Sequence, residues 1–139
     1  MRKSKINISG FKIGTAENRE GLTGVTVILA PDGGATAGVD VRGCAPGTRE
    51  TDLLDPRKTV QKIHAVVLSG GSAFGLEAAS GCVKYLAEQG VGFPIGNVCV
   101  PIVCSAVLFD LMIGDEKAYP DLLMGYEAAK SDRKSTRLN

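Results

Sequence analysis

The sequence has no tryptophan, a single histidine and few aromatic residues of any kind, 5% of 139. With 16 Lys and Arg against 15 Asp and Glu, it also lacks a net charge of either sign. Nucleic-acid binding draws on a basic field and on rings that stack with bases, so a nucleic-acid partner is not expected. Long apolar runs are missing too. The longest, Val98 to Met112, is broken by Pro101 and Asp110 and stops short of the ~20 residues a membrane helix needs. The opening Met1-Arg-Lys-Ser-Lys-Ile-Asn-Ile8 is basic but has neither a continuous apolar stretch nor a small-residue cleavage site, so no secretory signal is read and a cytoplasmic protein is expected. No C-x-x-C spacing occurs among Cys44, Cys82, Cys99 and Cys104, and His64 is remote from the last two, so no zinc site and no other metal is expected. All four cysteines read as buried thiols in a reducing compartment.

What is present is the material for one globular core: 44% apolar and 22% charged residues in a length that suits a single domain. The first third is glycine-rich with short β-branched runs, the pattern of strands joined by tight turns. Gly24 to Ala30 is the clearest strand, Pro31-Asp-Gly-Gly34 the reversing turn after it, and Ala37 to Val41 the strand expected to return. Arg42 to Asp52 reads as a polar loop with nothing to anchor it in a core. Asp55-Pro56 offers a cap and a first-turn proline, predicting a short helix over 56–62. His64 to Leu68 reads as a buried strand.

From Ala73 to about Gln89, Phe74, Leu76, Ala79, Val83 and Leu86 approximate one apolar helix face, and Gly90 is a natural stop. Gly75 and Gly81 within it each cost roughly 1 kcal/mol against alanine, which predicts close packing of the helix on a sheet. Val98 to Val103 predicts a second apolar strand, Ala106 to Leu111 another buried segment, Gly114 to Lys117 a turn, and Pro120 to Lys130 a final helix. An α/β (α+β) class follows, with one domain over residues 1–130. Residues 131–139 have one apolar residue and no period, and read as a disordered, non-native tail of the kind left by sequence read past a truncated gene.

The strongest local feature is strand, Ser69-Gly-Gly-Ser72, helix. Backbone N–H groups and a helix dipole converge there and favour an anionic or carbonyl oxygen, making Ser69, Gly70, Gly71 and Ser72 a candidate substrate cradle. The alternative is that the glycines merely turn the chain while Ser72 caps the helix. The loop is not a phosphate-binding P-loop, lacking the Gly-Lys-Ser/Thr ending, and it lacks the dinucleotide glycine spacing, so no cofactor is expected. Nor is Ser72 a hydrolase elbow, because Phe74 stands where that motif needs glycine. A lone histidine in an apolar strand, His64, reads as structural. Asp40, Arg42, Arg49, Glu50 and Asp52 gather around one loop, where they either clamp the polar ends of a substrate or hold the loop by ion pairs.

Two long motifs, Ala37-Gly-Val-Asp-Val-Arg-Gly-Cys-Ala-Pro-Gly-Thr-Arg-Glu-Thr-Asp-Leu-Leu54 and Val67-Leu-Ser-Gly-Gly-Ser-Ala-Phe-Gly-Leu76, closely resemble the DmpA-type aminopeptidases. Leu22-Thr-Gly-Val-Thr-Val27, Val100-Pro-Ile-Val103 and Ala106-Val-Leu-Phe-Asp-Leu111 extend the resemblance over roughly residues 10 to 130. It implies an αββα sandwich of the DmpA and ornithine acetyltransferase type, of which this chain would be part. It also implies a precursor that cleaves itself before a serine or threonine, whose hydroxyl is the nucleophile and whose freed amino group serves as base, so that no histidine is required. That nucleophile comes later in the family than any residue matched here, which makes this chain an N-terminal piece that is inactive alone. By resemblance Ser69 to Ser72 and the loop carrying Arg49 lie near the substrate pocket, and Phe109 at an aromatic pocket position. The implied partner is a small peptide or amino-acid amide, and the implied assembly a homotetramer. Cys44 and Cys104 depart from the glycine and proline expected in relatives. Two other functions fit the same residues, a non-catalytic ligand-binding domain and acyl transfer on the same fold.

Overall fold

Alternating β-branched residues define the central strands, and each alternate set turns to one side. The computed structural model describes residues 8–131. Its strands are β1 Lys12–Asn18, β2 Thr23–Leu29, β3 Thr48–Arg49, β4 Ala65–Ser69, β5 Phe93–Ile95, β6 Val98–Val100 and β7 Val103–Val107, and its α-helices are α1 Ala78–Glu88 and α2 Leu122–Lys130. Five strands form a mixed sheet in the order β1-β2-β4-β7-β3, with β4 and β7 parallel and the other neighbours antiparallel. The class is α+β.

Val25, Val27 and Leu29 of β2, Ala65 and Val67 of β4 and Val103 of β7 all point to one face. There they meet Ala78, Ala79, Cys82 and Leu86 of α1 and Ala128 and Ala129 of α2. Val27 and Val67 are fully buried, and each such side chain contributes about 1.5–3 kcal/mol. On the opposite face a smaller cluster of Ile63, Ile102 and Cys104, joined by Ala37, Leu53, Leu54, Val60, Val66 and Phe93, covers the sheet at one end. The remainder of that face, which carries Thr15, Glu17, Thr26 and the exposed Leu68, has no layer over it among the described residues.

Both helices carry a glycine where they cross. A Cβ at Gly81 would overlap the Leu122 carbonyl, and one at Gly125 would overlap that of Ala78, so the backbones touch. The sequence predicts sheet packing at both internal glycines of the first helix. Gly75 does abut the end of β4, at Gly70 and Ser69, but Gly81 faces α2. Asp121 caps α2, its carboxylate accepting from Met124 N–H at 2.8 Å.

Several expected elements differ. Residues 37–41 form no strand, because β2 is already paired on both sides, by β1 and β4, and Val39 and Val41 are left exposed. Residues 56–62 form no helix. Asp55 instead accepts from the Arg57 backbone N–H at 2.9 Å and from its guanidinium at 2.6 Å, closing a turn, while a short 3-10 helix lies earlier at Asp52–Leu54. The Arg57 guanidinium holds the Asp55 carboxyl down at about 2. The loop after Arg42 is anchored after all, since Thr48 and Arg49 pair with Ala106 and Ser105. Pro101 splits the predicted strand 98–103, so that β6 pairs with β5 in an exposed hairpin and only β7 enters the main sheet. Residues 108–111 are not buried, Leu108 being 71% and Phe109 70% exposed. Cys82 and Cys104 are buried as expected, but Cys44 and Cys99 are exposed. Ser131 follows α2 and its hydroxyl donates to Ala128 O at 2.9 Å. The rest of the expected tail, 132–139, lies outside the described residues.

Candidate functional site

The turn after β4 takes two successive left-handed residues, the first of them a glycine that tolerates this backbone. Gly71 has φ 82° and Ser72 φ 52°, and the chain then enters a 3-10 turn over Ser72–Glu77 before α1 begins. Gly70 and Gly71 are buried. A Cβ at Gly70 would strike Asp110 and Thr23, and one at Gly71 would lie 2.5 Å from the Tyr119 Cβ, so bare backbone is required at both positions. Tyr119 in turn stacks on Phe74, ring centroids 4.6 Å apart and 15° from parallel.

The amide groups that the sequence offers as a cradle are engaged within the protein. Gly70 N–H donates to Gly24 O at 2.9 Å, and Ser72 N–H to Leu108 O at 2.9 Å. Gly71 N–H donates to Asp110 Oδ1 at 2.7 Å, and the Thr23 hydroxyl donates to Asp110 Oδ2 at 2.8 Å. Leu108 N–H closes the set by donating to Ser69 O at 2.8 Å. Ser72 makes no side-chain cap, the capping position falling on Gly71, and the buried Ser69 hydroxyl donates to Gly70 O at 3.0 Å. The loop is thus a rigid junction of β2, β4 and the segment after β7.

Beside this junction lies an open groove of about 590 Å³ on the face of the sheet that the helices leave free. Thr15 and Glu17 of β1, Thr23 and Thr26 of β2, Gly70, Leu108 and Asp110 are among its walls. Leu22, which also lines it, has φ 54°, a conformation costly for a side chain of its kind. Arg19 pairs with Glu17 at 2.8 Å at the rim. The wall is therefore mixed, with apolar Leu22 and Leu108 beside two carboxylates that are already engaged, Glu17 by Arg19 and Asp110 by Gly71 and Thr23.

Of the residues singled out from the sequence, Ser69, Gly70, Gly71 and Ser72 come together here, with Gly70 in the groove wall. Arg49 and Phe109 do not line it. Arg49 sits on the edge strand β3, its Nη1 donating to Ser80 Oγ of α1 at 2.7 Å, next to Ser105, a buried residue whose hydroxyl has no partner among the described residues. Arg42 pairs with Asp40 at 2.6 Å in the open. His64 is buried, its Nδ1 accepting from Ile102 N–H at 3.0 Å, and burial pushes its pKa down. The five residues of β4, roughly 17 Å of extended chain, and then Gly70 and Gly71 separate it from Ser72, so the two form no nucleophile–base pair. Among the described residues no three of His, Cys, Asp and Glu are placed to hold a metal ion, and no helix is long and apolar enough to cross a membrane. Sequence reading missed Thr23 and Asp110. The available signal was Asp110 itself, a lone carboxylate inside an apolar run, where it needs donors.

The family model of peptidase family S58 matches residues 5–135. The chain belongs to peptidase family S58. It is 50% identical over 108 residues to an uncharacterized aminopeptidase of Mycobacterium leprae, covering 78% of this chain and 30% of that protein. An uncharacterized aminopeptidase of Mycobacterium tuberculosis is 50% identical over 105 residues, 76% of this chain and 30% of its own length. A 6-aminohexanoate-oligomer endohydrolase of an Agromyces species is 36% identical over 124 residues, 89% of this chain and 32% of its own. The chain thus spans about a third of the length of these curated relatives.

Proposed function

We propose that the protein to which this chain belongs is a self-processing DmpA-type hydrolase that releases N-terminal residues from small peptides, amino-acid amides or esters. The carrying observation is the 50% identity, over 78% of the chain, to a relative named as an uncharacterized aminopeptidase. In this reading the chain supplies a helix-backed sheet and one wall of the substrate groove, with Ser69 to Ser72 as the rigid corner of that wall. The serine or threonine nucleophile stands beyond residue 139. The lack of a nucleophile–base pair between Ser72 and His64 supports this, since a nucleophile exposed by cleavage brings its own amino group as base. A sheet with helices on one face and an open opposite face supports an αββα sandwich. The active assembly is proposed as a homotetramer, and this chain alone as inactive.

A second reading concerns the bond cut. The 36% identity to a 6-aminohexanoate-oligomer endohydrolase favours internal cleavage of linear amide oligomers. One assay separates the two. The full-length protein is given amino-acid p-nitroanilides, dipeptides and a linear 6-aminohexanoate oligomer, and products are identified by mass. Release of single N-terminal residues supports the aminopeptidase. Internal oligomer fragments with no anilide hydrolysis support the endohydrolase, and no hydrolysis of any of them removes both.

A further inference from the structure

We infer that Asp110 is the positioning residue of the groove, and that it sets substrate affinity by fixing Leu108 in the groove wall. Three stretches remote in sequence meet at its carboxylate. Oδ1 accepts from the Gly71 N–H at the corner after β4, and Oδ2 from the Thr23 hydroxyl at the start of β2. The third stretch is Asp110's own segment, which leaves β7 and runs along the groove. The Asp110 carbonyl meanwhile accepts from Ile113 N–H at 2.9 Å, so the following turn hangs from the same residue. Leu108, two positions earlier, lines the groove yet is 71% exposed. Little apolar packing holds it, and its place is set by backbone bonds to Ser69 and Ser72 and by the Asp110 tie. Removing the carboxylate strands the buried Gly71 N–H and frees the wall from β2, whereas an asparagine amide keeps an acceptor for Gly71 and can donate to Thr23.

This inference deepens the proposed amidase reading and rests on it for the substrate, though not for the tie itself. It is tested on the full-length protein with Asp110→Ala, Asp110→Asn and Thr23→Val. The expected result for amino-acid p-nitroanilides is a KM raised about tenfold in Asp110→Ala with kcat within about threefold of the parent, an intermediate KM in Thr23→Val, and recovery to within about threefold in Asp110→Asn. Hydrogen exchange read by mass spectrometry gives an arm that needs no activity. Amides of 69–77 exchange faster in Asp110→Ala and not in Asp110→Asn, while those of α1 keep their protection. An unchanged KM in Asp110→Ala, or an asparagine variant as impaired as the alanine one, overturns the assignment. The second result would mean that the charge itself contacts the substrate. Should the parent hydrolyse none of the substrates, the amidase reading fails, and unchanged exchange at 69–77 in Asp110→Ala would overturn the tie independently.

Discussion

Asp110 accepts a 2.7 Å hydrogen bond from the backbone N–H of Gly71, 39 positions away in sequence. That bond is possible because Gly71 takes a left-handed conformation and carries no Cβ, which would otherwise press on Tyr119. Gly71→Ala is therefore expected to destabilise the fold by about 1–3 kcal/mol, from backbone strain and overpacking together. Urea denaturation measures it, and a loss below about 0.5 kcal/mol would mean that the turn relaxes freely.

The crossing of α1 and α2 makes a second prediction. Gly81→Ala and Gly125→Ala each place a methyl group against a carbonyl of the other helix, so each should cost about 1–3 kcal/mol despite alanine's better helix propensity. Gly38→Ala is the control. Nothing lies within 4 Å of its added Cβ, and its stability should change by less than about 0.5 kcal/mol.

His64 makes stability depend on pH. Burial lowers its pKa from the ordinary 6.5, and its Nδ1 accepts a hydrogen bond that the protonated ring cannot accept. The unfolded chain therefore binds more protons in the window between the two values. The contribution is complete above the unfolded value and is lost as pH falls through the depressed folded one. The urea midpoint should fall between about pH 7 and pH 5, and His64→Asn, which keeps an acceptor for Ile102, should flatten that part of the profile. An unchanged slope in the asparagine variant would assign the effect to other groups.

The four thiols should separate into two classes. Cys44 and Cys99 are exposed, while Cys82 and Cys104 are buried, and burial pushes the Cys82 thiol up to about 12. A thiol-specific reagent counted by mass spectrometry should label Cys44 and Cys99 in the native protein, and Cys82 and Cys104 only after denaturation. Rapid native labelling of Cys82 would contradict the packing of α1 on the sheet.

These outcomes rest partly on what was legible in the sequence. The strand near Gly24 to Ala30, the strand before Ser69, the final helix and the 78–88 part of the helix expected from Ala73 were readable, because each buries one periodic face, whereas 72–77 is a 3-10 turn with Phe74 exposed. The segments 37–41 and 56–62 were misread for a shared reason: local turn and strand signals do not say whether a neighbouring strand is free or whether a side chain such as Arg57 captures the cap. Exposure at 98–100 and 108–109 was hidden for a related cause, since apolar residues at a groove or hairpin look like core in sequence. At the site, Ser69 to Ser72 could be found from the glycines. That Gly71 N–H is taken by Asp110, and those of Gly70 and Ser72 by the Gly24 and Leu108 carbonyls, could not, because the partners are remote in sequence.

The most direct test of the central claim is the intact mass and N-terminal sequencing of the full-length protein after purification. Two chains whose masses sum to that of the precursor plus one water, the second beginning with serine or threonine, are the predicted result. A single uncut chain, stable under conditions where the protein is folded, would contradict a self-processing hydrolase.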